Sequence, residues 1–250
     1  MKNSLLIAKK ELKTYFSSPI AYVTMTAFLV FTGLLFVDSL SGAFREASLR
    51  GFLAGQSSTR GLLGETIDGA FVLLLLGPVL TMRLIAEESK LGTIELLLTS
   101  PVRDTEVVVG KFVAAFGALL VLLALTLYYP ILLWIFATPD KGPIISGYLG
   151  MVLIGGFFVS VGLFASSLSS SQIASAVVGM VILLMFWFIN SAADFFSGRP
   201  ERILQFVSPR AHFADFARGI IDSGAVIYLI ALTAIFLFLT IRSLETRRWR

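Results

Sequence analysis

The chain has 250 residues, 56% of them apolar and only 14% charged, with a mean hydropathy of +0.87. A water-soluble domain of that length needs far more polar surface, and the apolar residues come in long blocks of the kind that cross a hydrocarbon core of ~30 Å. The net charge is +4, His212 is the single histidine and there is no cysteine, which excludes disulfides, thiolate metal sites, a cysteine nucleophile and a histidine-rich metal centre; nothing points to a nucleic-acid partner.

Residues 1–18 read as a helix lying in the membrane interface. At helical spacing Met1, Leu5, Ala8, Leu12, Tyr15 and Phe16 share a face, Lys2, Lys9, Lys10 and Lys13 form the adjoining stripe, and Leu6 and Ile7 fall off the face. Lysines so placed reach anionic headgroups; the alternative is a plain charged tail. Pro19 ends the helix. The first apolar block begins only at Ile20, behind charge, and is read as a retained span rather than a cleaved leader.

Six spans follow. Span 1 covers about Ile20 to Val37, and residues 38–62 form a polar loop. Span 2 covers about Gly64 to Ile85, with Pro78 expected to bend it. After the more polar stretch Ala86 to Thr105, span 3 runs from about Val107 to Ala137. That length exceeds one straight crossing, so a tilt or a break at Pro130 is expected. A loop from Thr138 to Ser146 leads to span 4, about Gly147 to Leu168, and the uncharged turn Ser166 to Ser171 leads to span 5, about Ile173 to Asn190. Residues 191–223 mix aromatics and charge, with apolar residues at helical spacing in Ile203, Leu204 and Val207 and again in Phe213, Phe216 and Ile220. They are expected to form short helices dipping into the outer leaflet. Span 6, about Ala225 to Leu244, precedes the basic tail Glu245 to Arg250. The expected fold class is all-α, a polytopic membrane protein forming one unit over residues 1–250.

An even number of spans puts both ends on one side. Of the 20 basic residues, twelve fall on the side of the termini, among them Lys9, Lys10, Arg83, Lys90, Lys111 and Arg242, and eight on the other. Cytoplasmic loops carry the excess of lysine and arginine, so both termini are expected in the cytoplasm, in an inner or cell membrane.

Between spans 2 and 3, Thr93 can cap a short helix with Glu95 in its first turn, Leu91, Ile94, Leu97 and Leu98 give it an apolar face, and Pro101 stops it. Such a helix either docks into a partner's groove, with Glu87, Glu88, Glu95 and Arg103 setting orientation, or lies in the interface without a partner. Here the sequence resembles a known family. The run from Arg83 to Pro101, RLIAEESKLGTIELLLTSP, followed by Val108-Val109-Gly110-Lys111, is similar to the signature of ABC-2 type transporter permeases. The likeness is nearest to the branch with gliding-motility-associated and nitrous-oxide-system permeases. It extends over the chain, to the lysine-rich N-terminal helix ending in Ser-Pro and to Ser208–Asp222, SPRAHFADFARGIID. The resemblance implies that segment 86–105 is a cytoplasmic coupling helix seated in a cleft of an ABC ATPase subunit, with that role on Glu87, Glu88, Gly92, Thr93, Glu95, Leu98 and Pro101. It also implies a pair of short helices capping the exit side.

The chain has no G-x-x-x-x-G-K-[ST] phosphate loop: Gly110-Lys111 lacks the upstream glycine and is followed by Phe112. No catalytic residue, cofactor or metal is therefore expected in this chain; ATP and magnesium would belong to the partner ATPase. Gly110, Ala114 and Ala118, and the pairs Gly162/Ser166 and Ser175/Gly179, set small residues four apart, which lets helices approach closely, within the chain or at a seam with a second permease copy or paralogue. Thr24, Thr26, Thr126, Tyr128, Tyr129 and Ser160 either line a path or bond to nearby backbone. The spans carry almost no charge beyond their ends, which counts against an ion-coupled carrier. The expected function is the permease subunit of an ATP-driven exporter, with a membrane scaffold that recruits a cytoplasmic partner as the alternative.

Overall fold

The computed structural model describes residues 2–41, 68–93, 103–136, 139–193, 195–196 and 198–248. Regular structure among them is entirely α-helical: α1 (Lys2–Ser17), α2 (Pro19–Ser41), α3 (Gly69–Thr81), α4 (Ala86–Lys90), α5 (Asp104–Thr126), α6 (Tyr128–Phe136), α7 (Lys141–Leu168), α8 (Gln172–Ala193), α9 (Arg199–Val207), α10 (Pro209–Ala217) and α11 (Ser223–Arg248). Six stretches are long and apolar enough to cross a membrane: Ala21–Asp38, Gly69–Lys90, Asp104–Phe136, Lys141–Leu168, Gln172–Ala193 and Ser223–Thr246. They correspond one to one with the six spans expected from hydropathy. The loop expected over 38–62 lies largely outside the described residues.

Helix α7 is the axis of the bundle, with α3, α5, α8, α10 and α11 packed along it. Its glycines admit this crowding. A Cβ at Gly150 would lie 2.7 Å from Phe216 Cβ of α10, and one at Gly155 would lie 2.9 Å from Leu119 of α5. A Cβ at Gly162 would overlap Thr81 Oγ1 and come within 3.2 Å of Gly77 O and Pro78 Cα on α3. Gly110 receives Ile7 of α1, and Gly179 faces Ala165 and Pro78. The small residues four apart thus serve packing within the chain at these positions. The polar residues of the spans are largely absorbed too: Thr26 donates to Tyr22 O, Thr126 to Leu123 O, Ser160 to Phe157 O and Tyr129 to Leu29 O.

Several boundaries differ from the sequence expectation: α2 continues through Asp38 to Ser41 rather than ending at Val37, α11 continues past Leu244 to Arg248, and three further differences have a clear local cause. Helix α7 starts at Lys141 rather than near Gly147, because Asp140 accepts a hydrogen bond from Gly142 N at 3.1 Å and Pro143 falls in the first turn, where its missing N–H costs nothing. Span 3 breaks at Leu127, three residues before Pro130. Proline cannot donate to the carbonyl four residues back, which is Thr126 O; Tyr148 of α7 supplies that donor at 2.9 Å. Tyr148→Phe is accordingly expected to cost about 1 kcal/mol, read as a fall of about 2–4 °C in thermal unfolding of the detergent-purified protein. The third difference is in span 2. Pro78 is accommodated inside α3, and the helix is interrupted four residues later, over Met82–Ile85, before resuming as α4.

Residues 191–223 form the expected pair of short helices, α9 and α10. Helix α10 is buried against α7 through Phe213 and Phe216. Helix α9 buries no residue and exposes Ile203 and Phe206. His212 stacks on Tyr228 of α11, with ring centroids 4.2 Å apart, and Arg210 lies over the Trp187 ring, 5.2 Å from its centroid.

Candidate functional site

The interrupted turn of span 2 is where chemistry concentrates. Breaking a helix frees backbone donors and acceptors, and deep in a membrane protein these must find partners within the protein. Three side chains from three other helices supply them. Ser166 of α7 accepts from Ile85 N at 3.1 Å and Ala86 N at 3.0 Å and donates to Met82 O at 3.2 Å, which uses the whole capacity of one hydroxyl. Tyr15 of α1 donates to Leu80 O. Burial, reinforced by the neighbouring Glu11 carboxylate, pushes the Tyr15 phenol well above its ordinary value, so it stays a protonated donor throughout the working pH range. Lys111 of α5 donates to Leu84 O at 2.6 Å.

Lys111 does more than close a turn. Its side chain is 1% exposed, and its ammonium also donates to Glu11 of α1 at 3.1 Å and to Glu88 of α4 at 2.7 Å. An ammonium has three N–H donors, and each has an acceptor here. Beside it, Arg83 pairs with Glu87 at 3.0 Å and reaches Ser18 at 3.4 Å. The cluster of Lys111, Glu11 and Glu88 holds two carboxylates to one cation, and Glu88 Oε2 is buried without a hydrogen-bond partner among the described residues. A cavity of about 260 Å³ opens next to it between α1, the start of α2 and the α3–α4 turn, with Tyr15, Val79 and Leu80 as apolar wall and Lys10, Arg83 and Glu87 as polar wall.

Helix α1 is drawn into this site by its packing on α5. Ser4 O and Ile7 sit over Gly110, where a Cβ would meet them at 2.9 Å; Leu12 covers Gly117, and Asn3 donates to Glu106 at 3.1 Å. Ile7, which falls off the apolar face in the helical wheel, is thus a packing residue, whereas Leu5 is 68% exposed. The exposed stripe of Leu5 and Leu6 lies with Lys9 and Lys13 on the side of α1 away from α5.

Of the residues singled out between spans 2 and 3, Glu87 and Glu88 stand in this cluster. Gly92 follows α4 with φ +69° and open space around it, and Thr93 donates to Glu88 O at 3.3 Å. Glu95, Leu98 and Pro101 lie outside the described residues. Sequence reasoning had Lys111 only as a basic residue of the signature and Ser166 only as a small packing residue, and it missed Glu11. The available signal for the first was a lone lysine amid Val107, Val108, Val109 and Phe112, a setting that buries a charge rather than solvating it.

The described part of the chain is therefore a six-span helical membrane protein with a charged, stitched break near one end of the bundle, the end that holds α1 and the C-terminal turn of α11, where Ser243 meets Ser167 O. Residues 5–249 match the family described as ABC-2 family transporter protein, and the chain belongs to that family. It is also similar to the probable multidrug ABC transporter permease YbhR of Escherichia coli strain K12 and to its counterpart in Escherichia coli O157:H7. Identity to each is 28% over 151 residues, covering 57% of this chain and 39% of the relative. The chain thus aligns with about two fifths of the length of these curated relatives.

Proposed function

We propose that this chain is the transmembrane permease subunit of an ATP-driven exporter of the cell or inner membrane, both termini cytoplasmic, working as a dimer of permeases with two ABC ATPase chains that bind the ATP and magnesium. Residues 86–105 are its coupling segment, with Glu87, Glu88, Gly92, Thr93, Glu95, Leu98 and Pro101 facing or shaping the ATPase cleft, and 191–223 caps the exit side. The gliding-motility-associated branch is the part of the family its signature fits best. The observation that carries the coupling role is that Glu88, inside this segment, is ion-paired to a buried lysine of span 3 and continuous with a break in span 2. A push on the segment reaches two spans directly. The excess of basic residues at the termini's end supports the orientation.

The test is co-purification with an ATPase followed by its turnover with and without the permease. Glu95→Lys reverses a charge on the segment, and Gly92→Trp forces a bulky side chain into positive φ. Each is expected to abolish stimulation while leaving the protein in the membrane. Normal coupled activity in both would sink the assignment. The multidrug name of the relatives makes amphiphilic drug-like molecules the first substrates to try in vesicles; binding of the ATPase with no ATP-dependent movement of any of them would favour a scaffold instead.

A further inference from the structure

Burying an ammonium is costly unless it is paired and hydrogen-bonded, and an apolar side chain of similar volume usually serves stability at least as well. Lys111 therefore calls for a reason beyond stability, and its geometry supplies one. Helix α1 rides closely on α5 through Gly110 and Gly117. Helix α4 rests instead against α7 and α8. Between α1 and the α3–α4 turn lies the cavity of about 260 Å³, crossed by the Tyr15 hydroxyl on Leu80 O and by Arg83 to Ser18. Across that gap Lys111 reaches Glu11 on one side and Glu88 and Leu84 O on the other.

We propose that Lys111 is a positioning residue for energy coupling: by holding Glu11 and Glu88 on one ammonium it makes α1, the start of span 3 and the 86–93 turn move as one body, so that the N-terminal helix is a second lever on the spans. This rests on the reading of 86–105 as the coupling segment. It assigns a mechanical role to α1 and Lys111, neither of which belongs to that segment.

The chain lacks cysteine, so pairs of engineered cysteines can be spin-labelled in the otherwise unaltered permease before it is assembled with the ATPase. Thr14→Cys with Lys90→Cys spans the clamp, and Lys90→Cys with Ile173→Cys spans from α4 to the start of α8; all three positions are exposed. Between nucleotide-free and ATP-trapped states, the first distance is expected to stay fixed and the second to shift. Lys111→Gln is expected to release the first distance, so that it changes with nucleotide, and to lower permease-stimulated ATP turnover on the order of tenfold. The triple variant Glu11→Gln, Glu88→Gln, Lys111→Gln removes the buried charge while keeping hydrogen-bonding groups, and is expected to fold yet remain uncoupled. A wild-type Thr14–Lys90 distance that changes with nucleotide, or wild-type stimulation in the triple variant, would overturn the clamp alone. If the wild-type chain stimulates no ATPase, the coupling reading falls and the clamp with it.

Discussion

Replacing Gly162 with leucine is expected to prevent the bundle from forming. Gly162 lies where α7 crosses α3, and even a methyl group there would overlap Thr81 Oγ1 and press on Gly77 O and Pro78 Cα. Two of those neighbours are backbone. The third is a fully buried threonine whose hydroxyl is committed to Gly77 O at 2.9 Å, and turning it away would leave a buried hydroxyl without that bond. Nothing at the seam can yield cheaply. Gly162→Ala is expected to cost about 1–3 kcal/mol, the usual range for overpacking, and leucine adds three more carbons in the same place. The measurement is the fraction of monodisperse protein recovered from membranes, with Gly142→Ala as control, since a Cβ there meets only Asp140 Oδ1 at 3.6 Å. Equal recovery of Gly162→Leu and wild type would show that α3 and α7 do not cross as described.

Ser166→Ala is expected to produce the second largest loss. The substitution removes one oxygen yet leaves Ile85 N, Ala86 N and Met82 O without the partner each now has. A buried polar group left unsatisfied costs about 1–3 kcal/mol, so even partial relaxation leaves a penalty of about 2–5 kcal/mol. For a chain of this size that is a fall of roughly 5–15 °C in detergent unfolding temperature. Ser167→Ala is the natural comparison, because its hydroxyl only back-bonds to Phe164 O within its own helix and its loss is expected to cost about 0.5–1 kcal/mol. Similar melting curves for the two variants would mean that the turn at Met82–Ile85 is satisfied by some other route.

These two sites mark what was legible in the sequence. The six spans followed from hydropathy because a block of apolar residues is a local signal. The spacing of Gly162 and Ser166 identified a close helix contact, but it gave them one role where the structure gives them two: Gly162 makes room and Ser166 supplies hydrogen bonds. In span 2 the sequence pointed only to a bend at Pro78, and the interruption itself was not expected. It lies at Met82–Ile85 because its partners, Tyr15, Lys111 and Ser166, come from distant parts of the chain, and no window of sequence around residue 82 contains them. Span 3 behaved differently. Pro130 does set its break, which falls upstream where the proline leaves Thr126 O unpaired in its own helix. Lys111 was counted only among the basic residues of the termini's side; its burial goes with α1 folding over Gly110. Glu87 and Glu88 were marked by resemblance; Arg83 and Lys111 stand in the same signature, but nothing in the sequence paired them with those carboxylates.

The broken turn of span 2 also has an electrostatic consequence. A helix behaves as though about half a negative charge sat at its C-terminal end, and α3 ends at Thr81, inside the protein rather than in solvent. The Tyr15 hydroxyl on Leu80 O sets a donor against that end, and the Lys111 ammonium on Leu84 O lies in the turn just beyond it, ahead of α4. Lys111 thus serves a backbone carbonyl of the break as well as two carboxylates. Neutralising Glu11 and Glu88 leaves the ammonium its carbonyl acceptor, whereas neutralising Lys111 leaves two carboxylates without their cation, so the lysine is expected to be the least replaceable member of the cluster.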